Sequence, residues 1–122
     1  MDRVFVYGTL RAGESRNEIL TVEPNRFAGP ASVDGAELFS LGSFPAMVLG
    51  RDGSVVGEVY EVDARTLQLL DRIEGVPRLY QRTEVELTGG GRAWAYTMAK
   101  RPGNAERIEG GDWVEFQKGE RA

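Results

Sequence analysis

Short apolar strands cut by glycine and proline run through nearly all of this chain, and one stretch, Asp63 to Gly75, carries helical spacing instead. Many short strands with one main helix make an α+β domain built on a mostly antiparallel sheet, open or closed. Residues 4–7 form the first strand. Arg11 to Pro24 is polar, with a short helical patch at Arg16 to Leu20. Phe27 to Phe39 reads as one or two strands, broken at Gly29-Pro30 and at Asp34-Gly35. Leu41 to Pro45 is punctuated as a loop and Ala46 to Leu49 as a short strand. Arg51-Asp52-Gly53 then reads as a hairpin turn before the strand Val55 to Val62.

Asp63 is a good N-cap, Leu67, Leu70 and Ile73 follow at helical spacing, and Gly75 closes the helix. Tyr80 to Leu87 alternates as a strand, Thr88-Gly89-Gly90-Gly91 turns, and Ala93 to Met98 returns. The three glycines lie between strands with no helix after them. They therefore make a hairpin and not a phosphate-binding loop.

In the opening strand, Val4 and Val6 share one face and Phe5 and Tyr7 the other, because strand side chains alternate. Gly8 lets the backbone turn and approach a neighbour closely. Such a turn is either an ordinary strand end or a nest that aims successive N–H groups at an anion or carbonyl.

The chain has 122 residues, enough for one domain spanning 1–122 with its own core. Cysteine and histidine are both absent, which closes off disulfides, thiolate sites, Cys nucleophiles, imidazole bases and most transition-metal sites. A net charge of −4 disfavours nucleic-acid or anionic-membrane partners. With neither a leader-like segment nor an apolar run of membrane-spanning length, the expected location is the cytoplasm.

Glu74 sits oddly. It ends the helix beside Gly75, where the macrodipole is negative and a carboxylate is disfavoured by about 0.3–1 kcal/mol. Partial burial there would push its pKa up, toward the range of a proton shuttle, whereas full exposure would leave it an ordinary surface acid. Glu58 and Glu61 fall on opposite strand faces and do not form a paired acid/base site. Arg82 is expected to pair with Glu84 or Glu58, with a substrate carboxylate as the alternative. Trp94, Tyr96 and Trp113 read as core or wall, Asp71 as a solvated helix face, and Asp112 as a turn residue.

Five blocks carry a resemblance: Val4 to Gly13, Leu70-Asp71-Arg72-Ile73-Glu74-Gly75, Leu79-Tyr80-Gln81-Arg82, Ala93-Trp94-Ala95-Tyr96, and Ile108-Glu109-Gly110-Gly111-Asp112-Trp113. In this order they resemble the γ-glutamylcyclotransferase-like family, which includes γ-glutamylamine cyclotransferases and many bacterial relatives. The resemblance implies a small mixed β-barrel with flanking short helices, and it places the family's catalytic glutamate at Glu74.

A chain without an activated nucleophile suits a reaction in which the substrate attacks itself. In a small γ-glutamyl amine or amide, the free α-amine attacks the γ-carbonyl, giving 5-oxoproline and an amine. Glu74 is the expected acid/base. Tyr7, Gly8, Thr9, Leu10 and Tyr80 are the expected substrate-binding residues, with no metal and no cofactor. A monomer or weak homodimer is expected. A non-catalytic small-ligand-binding module and an amide hydrolase are the alternatives. Relatives often carry histidine after the opening motif, where this chain has Ser15-Arg16-Asn17-Glu18, so Glu18 is expected to bring negative charge near the mouth if that segment borders the pocket.

Overall fold

One long, bent hairpin organises the molecule, a computed structural model that describes residues 1–121 and side chains as far as Gly119. Strand β2 (Arg26–Ser40) and strand β3 (Pro45–Val62) pair antiparallel from Arg26↔Glu61 to Ser40↔Pro45. The breaks expected at Gly29-Pro30 and Asp34-Gly35 are bulges within a continuous strand, marked by register shifts at Phe27/Gly29 and Asp34/Ala36. Arg51-Asp52-Gly53 is not a hairpin turn. Ala36 faces Leu49 and Asp34 faces Ser54, so residues 50–53 bulge out opposite Gly35. The reversal lies at residues 41–44, where Leu41 N–H donates to the Phe44 carbonyl at 2.9 Å. Glycines at positive φ, here Gly35 at 77° and Gly50 at 73°, serve a bulge as readily as a turn. Local sequence does not tell the two apart.

The bend lets the sheet curl. Strand β1 (Asp2–Val6) runs antiparallel to the second half of β3, from Asp2↔Val62 to Val6↔Glu58. Strands β4 (Gln81–Glu86) and β5 (Arg92–Met98) form the expected hairpin around residues 88–91. β5 meets β1 in parallel at Val4↔Trp94 and also meets the first half of β3 at Met47↔Thr97 and Val48↔Met98. With β6 (Glu106–Ile108) on the outer edge of β2, the order is β4-β5-β1-β3-β2-β6. The added β5–β3 pairing curls this mixed sheet into a partial barrel. The fold is α+β.

Helix α1 (Ala64–Ile73) begins at Asp63, whose side chain accepts from Thr66 N–H at 2.8 Å. It buries Leu67 and Leu70 and ends at Glu74, followed by Gly75 at φ 67°. A 3₁₀ turn spans Asn17–Leu20. Strand β6 and helix α2 (Trp113–Arg121) had no reading in the sequence, being short and weakly patterned. Trp113, 1% exposed, is core.

The alternation of β1 separates two buried clusters. Phe5 and Tyr7 join Leu38, Met47, Val59 and Trp113 in one cluster. Val4 and Val6 join Leu20, Tyr60, Leu67, Leu70, Tyr80 and Tyr96 in the other. Each such apolar side chain stabilises the fold by about 1.5–3 kcal/mol on burial. β1 is thus clamped on both faces, and that fixes where its end lies.

Candidate active site

The end of β1 and the end of α1 meet at one cavity of about 310 Å³. β1 and the turn after it contribute Tyr7, Gly8, Thr9 and Leu10. The helix end brings Glu74, and the segment after it brings Leu79 and Tyr80. Ser43, Phe44 and Pro45 come from the β2–β3 reversal, Tyr96 from β5, and Ser15 and Arg16 from the loop before the 3₁₀ turn. All six residues expected at the site line this cavity. Ser15, Arg16, Phe44, Pro45, Leu79 and Tyr96 join them without having been assigned substrate roles.

Gly8 is required by space rather than by a left-handed backbone. A Cβ on it would lie 2.7 Å from Pro45 Cγ and 2.8 Å from Cδ. The carbonyls of this turn are engaged, Gly8 O by Arg11 N–H at 3.0 Å and Thr9 O by Arg16 N–H at 2.9 Å. The N–H groups of Gly8, Thr9 and Leu10 donate to no protein acceptor among the described residues. Three successive free amides in a cavity wall can bind an anion or a carbonyl oxygen.

The loop is braced from behind. Arg11 Nε donates to Glu58 Oε2 at 2.6 Å, Arg11 Nη1 to Asp112 Oδ1 at 2.9 Å, and Ala12 N–H to Glu58 Oε1 at 3.0 Å. Asn17 Nδ2 holds the Leu10 carbonyl at 2.9 Å. Asp112 is therefore more than a turn residue, tying the loop to the start of α2. Arg82 pairs with Asp71 at 3.0 Å, not with Glu84 or Glu58, and lies over the Trp94 ring at 4.6 Å. Asp71 is not a merely solvated helix position, since it also accepts from Tyr96 Oη at 2.7 Å. These partners come from α1 packing against β4 and β5, which no local pattern announces.

The hydroxyl protons of the three tyrosines that line the cavity are committed. Tyr7 Oη donates to the Tyr96 carbonyl at 2.6 Å and accepts from Met47 N–H at 3.1 Å. Tyr80 Oη donates to the Pro45 carbonyl at 2.7 Å. Burial pushes the Tyr7, Tyr80 and Tyr96 pKa values well above the usual phenol value, and the Glu74 charge adds to the shift in all three. At neutral pH these are neutral walls and braces, offering rings and lone pairs.

Glu74 differs. It is half-buried, with no side-chain hydrogen bond or ion pair among the described residues. Burial pushes its pKa above the ordinary glutamate value, and the Arg16 guanidinium partly offsets that. Glu18, by contrast, is exposed and absent from the cavity lining, so the charge this loop brings to the mouth is the cation of Arg16. The backbone bond from Arg16 to Thr9 places it there, a contact invisible in the sequence. Among the described residues, no group of three or more Asp, Glu, His or Cys side chains gathers as a metal site.

Residues 4–115 match the family described as gamma-glutamyl cyclotransferase, AIG2-like. The chain is 36% identical over 116 residues to the gamma-glutamylcyclotransferase family protein YtfP of Escherichia coli, covering 95% of this chain and 99% of that protein. It is 32% identical over 99 residues to the gamma-glutamylaminecyclotransferase of Rattus norvegicus, covering 71% of this chain and 64% of that one. The crystal structure of uncharacterized protein PH0828 from Pyrococcus horikoshii superposes with a TM-score of 0.82 at 30% identity, covering 99% of this chain and 97% of that one. The chain belongs to the gamma-glutamyl cyclotransferase, AIG2-like family, and its activity is of that general cyclotransferase type.

Proposed function

We propose, with that membership as the premise, that this chain cyclises a small γ-glutamyl amine or amide without a cofactor, releasing 5-oxoproline and the amine. The observation that carries the reading is Glu74: a half-buried carboxylate with no protein partner among the described residues, in one cavity with the free amides of Gly8, Thr9 and Leu10.

The ionised Glu74 takes a proton from the substrate's α-ammonium, freeing the nitrogen lone pair. That nitrogen attacks the γ-carbonyl carbon, and the carbonyl electrons move onto oxygen. The amides of residues 8–10 are suited to stabilise that oxyanion or the neighbouring α-carboxylate. Glu74 returns its proton to the departing nitrogen, the C–N bond breaks, and the carbonyl re-forms within a five-membered lactam. The ring nitrogen's surplus proton passes through Glu74 to the released amine, restoring the carboxylate. Nucleophile and electrophile are tethered, so the neutral walls of Tyr7, Tyr80 and Tyr96 need only hold the folded-back rotamer.

The test is 5-oxoproline release from a panel of γ-glutamyl amines and amides. Turnover is expected with the wild type and should vanish when the substrate α-amine is acetylated. Release of glutamate instead would reassign the site to amide hydrolysis. Saturable binding by calorimetry with no product from any panel member would make it a binding module.

A further inference from the structure

Two groups suited to anions line the cavity at different depths. Gly8 and Leu10, which frame the free amides, are buried, whereas Arg16 is exposed at the mouth. Arg16 has no ion pair among the described residues, whereas Arg11 is paired with Glu58 and Asp112, and Arg82 with Asp71. Its backbone is fixed by N–H donation to Thr9 O at 2.9 Å, so its side chain starts from a defined point on the rim.

Phe44 and Leu79 line the same cavity and remain 37% and 52% exposed. Apolar side chains left uncovered beside a pocket suit an apolar part of a ligand. The α-amine and the departing nitrogen must both reach half-buried Glu74, which leaves the rest of the leaving group to extend outward toward this rim.

Resting on the cyclotransferase reading above, we infer that Arg16 is a specificity-determining residue. It binds a carboxylate on the leaving group, whose apolar side chain lies against Phe44 and Leu79. The preferred substrate class is then a γ-glutamyl derivative of an apolar or aromatic amino acid, in preference to the same amine without its carboxylate. A guanidinium recognises a carboxylate through paired, charge-assisted hydrogen bonds, and a neutral leaving group forfeits them.

The test compares γ-glutamyl-L-phenylalanine with γ-glutamyl-phenethylamine, which differ by that one carboxylate. The readout is the ratio of their kcat/KM values at one pH, in wild type and Arg16→Gln. Any effect of the substitution on Glu74 itself acts on both substrates and cancels. Wild type should favour the carboxylate compound by about tenfold to a hundredfold, and Arg16→Gln should erase most of that preference. A ratio near one in wild type, or one that Arg16→Gln leaves in place, overturns the inference. So does a loss that is equal on both compounds, which would confine Arg16 to groups the two substrates share.

Calorimetric affinities of the same pair for Glu74→Gln, with and without Arg16→Gln, decide the matter independently of turnover. If neither compound is cyclised by wild type, the cyclotransferase reading fails for this class. Arg16 is then judged on whether its replacement selectively weakens binding of the carboxylate compound.

Discussion

Glu58 and Glu74 are two carboxylates on either side of the loop at residues 8–16, and the fold treats them in opposite ways. Glu58 is 7% exposed and wholly engaged, taking the Arg11 guanidinium on one oxygen and the Ala12 N–H on the other. Glu74 is more open to solvent yet has no side-chain partner among the described residues. A buried charge that is paired holds structure together. A half-dry charge left unpaired is poised to exchange a proton. The contrast teaches that the chemistry lies where the protein withholds compensation, and that the adjacent cluster fixes the loop over it.

The comparison breaks most readily at Glu74. Glu74→Gln should lower kcat for 5-oxoproline release by about 10²–10⁴-fold, the range of a lost general acid/base, while far-UV circular dichroism stays unchanged. Retained turnover would remove Glu74 from the mechanism. Glu58→Ala should do the reverse in kind. Arg11 keeps Asp112, so the loss is that of hydrogen bonds to a charged group and should cost about 1.5–3 kcal/mol in urea denaturation, and a loss below about 1 kcal/mol would show the cluster to be incidental.

A smaller effect sharpens the electrostatics. Cyclisation needs ionised Glu74, so kcat/KM should fall as pH drops through its pKa, which burial holds above the ordinary glutamate value. Arg16 pulls that pKa down, so in Arg16→Gln the acid limb should move to higher pH. A limb that stays put, or moves down, would separate Arg16 from Glu74.

The smallest effect concerns stability. Because the folded pKa of Glu74 is raised, ionising it costs stability as pH rises past the ordinary glutamate value and through the folded one. Glu74→Gln should therefore melt above wild type at pH 7, with about 0.3–1 kcal/mol expected from the helix dipole alone. The gap should close below about pH 4, where both folded and unfolded states hold the proton. A variant less stable than wild type at pH 7 would mean that Glu74 is compensated after all.

Much of the frame was legible because it rests on short-range rules. The capping of α1 by Asp63, its termination at Glu74-Gly75, the hairpin at Thr88 to Gly91 and the two faces of β1 all follow from preferences acting over a few residues. The odd siting of an acid at a helix C-terminus belongs to the same class. The bulge at residues 50–53 was misread as a turn because an Asp-Gly pair between apolar runs marks either one, and the positive φ falls at Gly50 rather than at Gly53. Strand β6 and helix α2 lacked a pattern long enough to register.

What the sequence determined by itself was the inventory and its local geometry: strands that alternate, one capped helix, an acid at its tip, and no imidazole or thiol to rival it. Tertiary structure alone decided the partners. Tyr7 hands its hydroxyl proton to Tyr96, 89 residues away, Arg11 spans 101 residues to Asp112, and Arg16 rather than Glu18 supplies the charge at the cavity mouth. Backbone preferences act within a turn or two, whereas a hydroxyl's acceptor or a carboxylate's isolation is set by whichever distant segment the sheet brings alongside it.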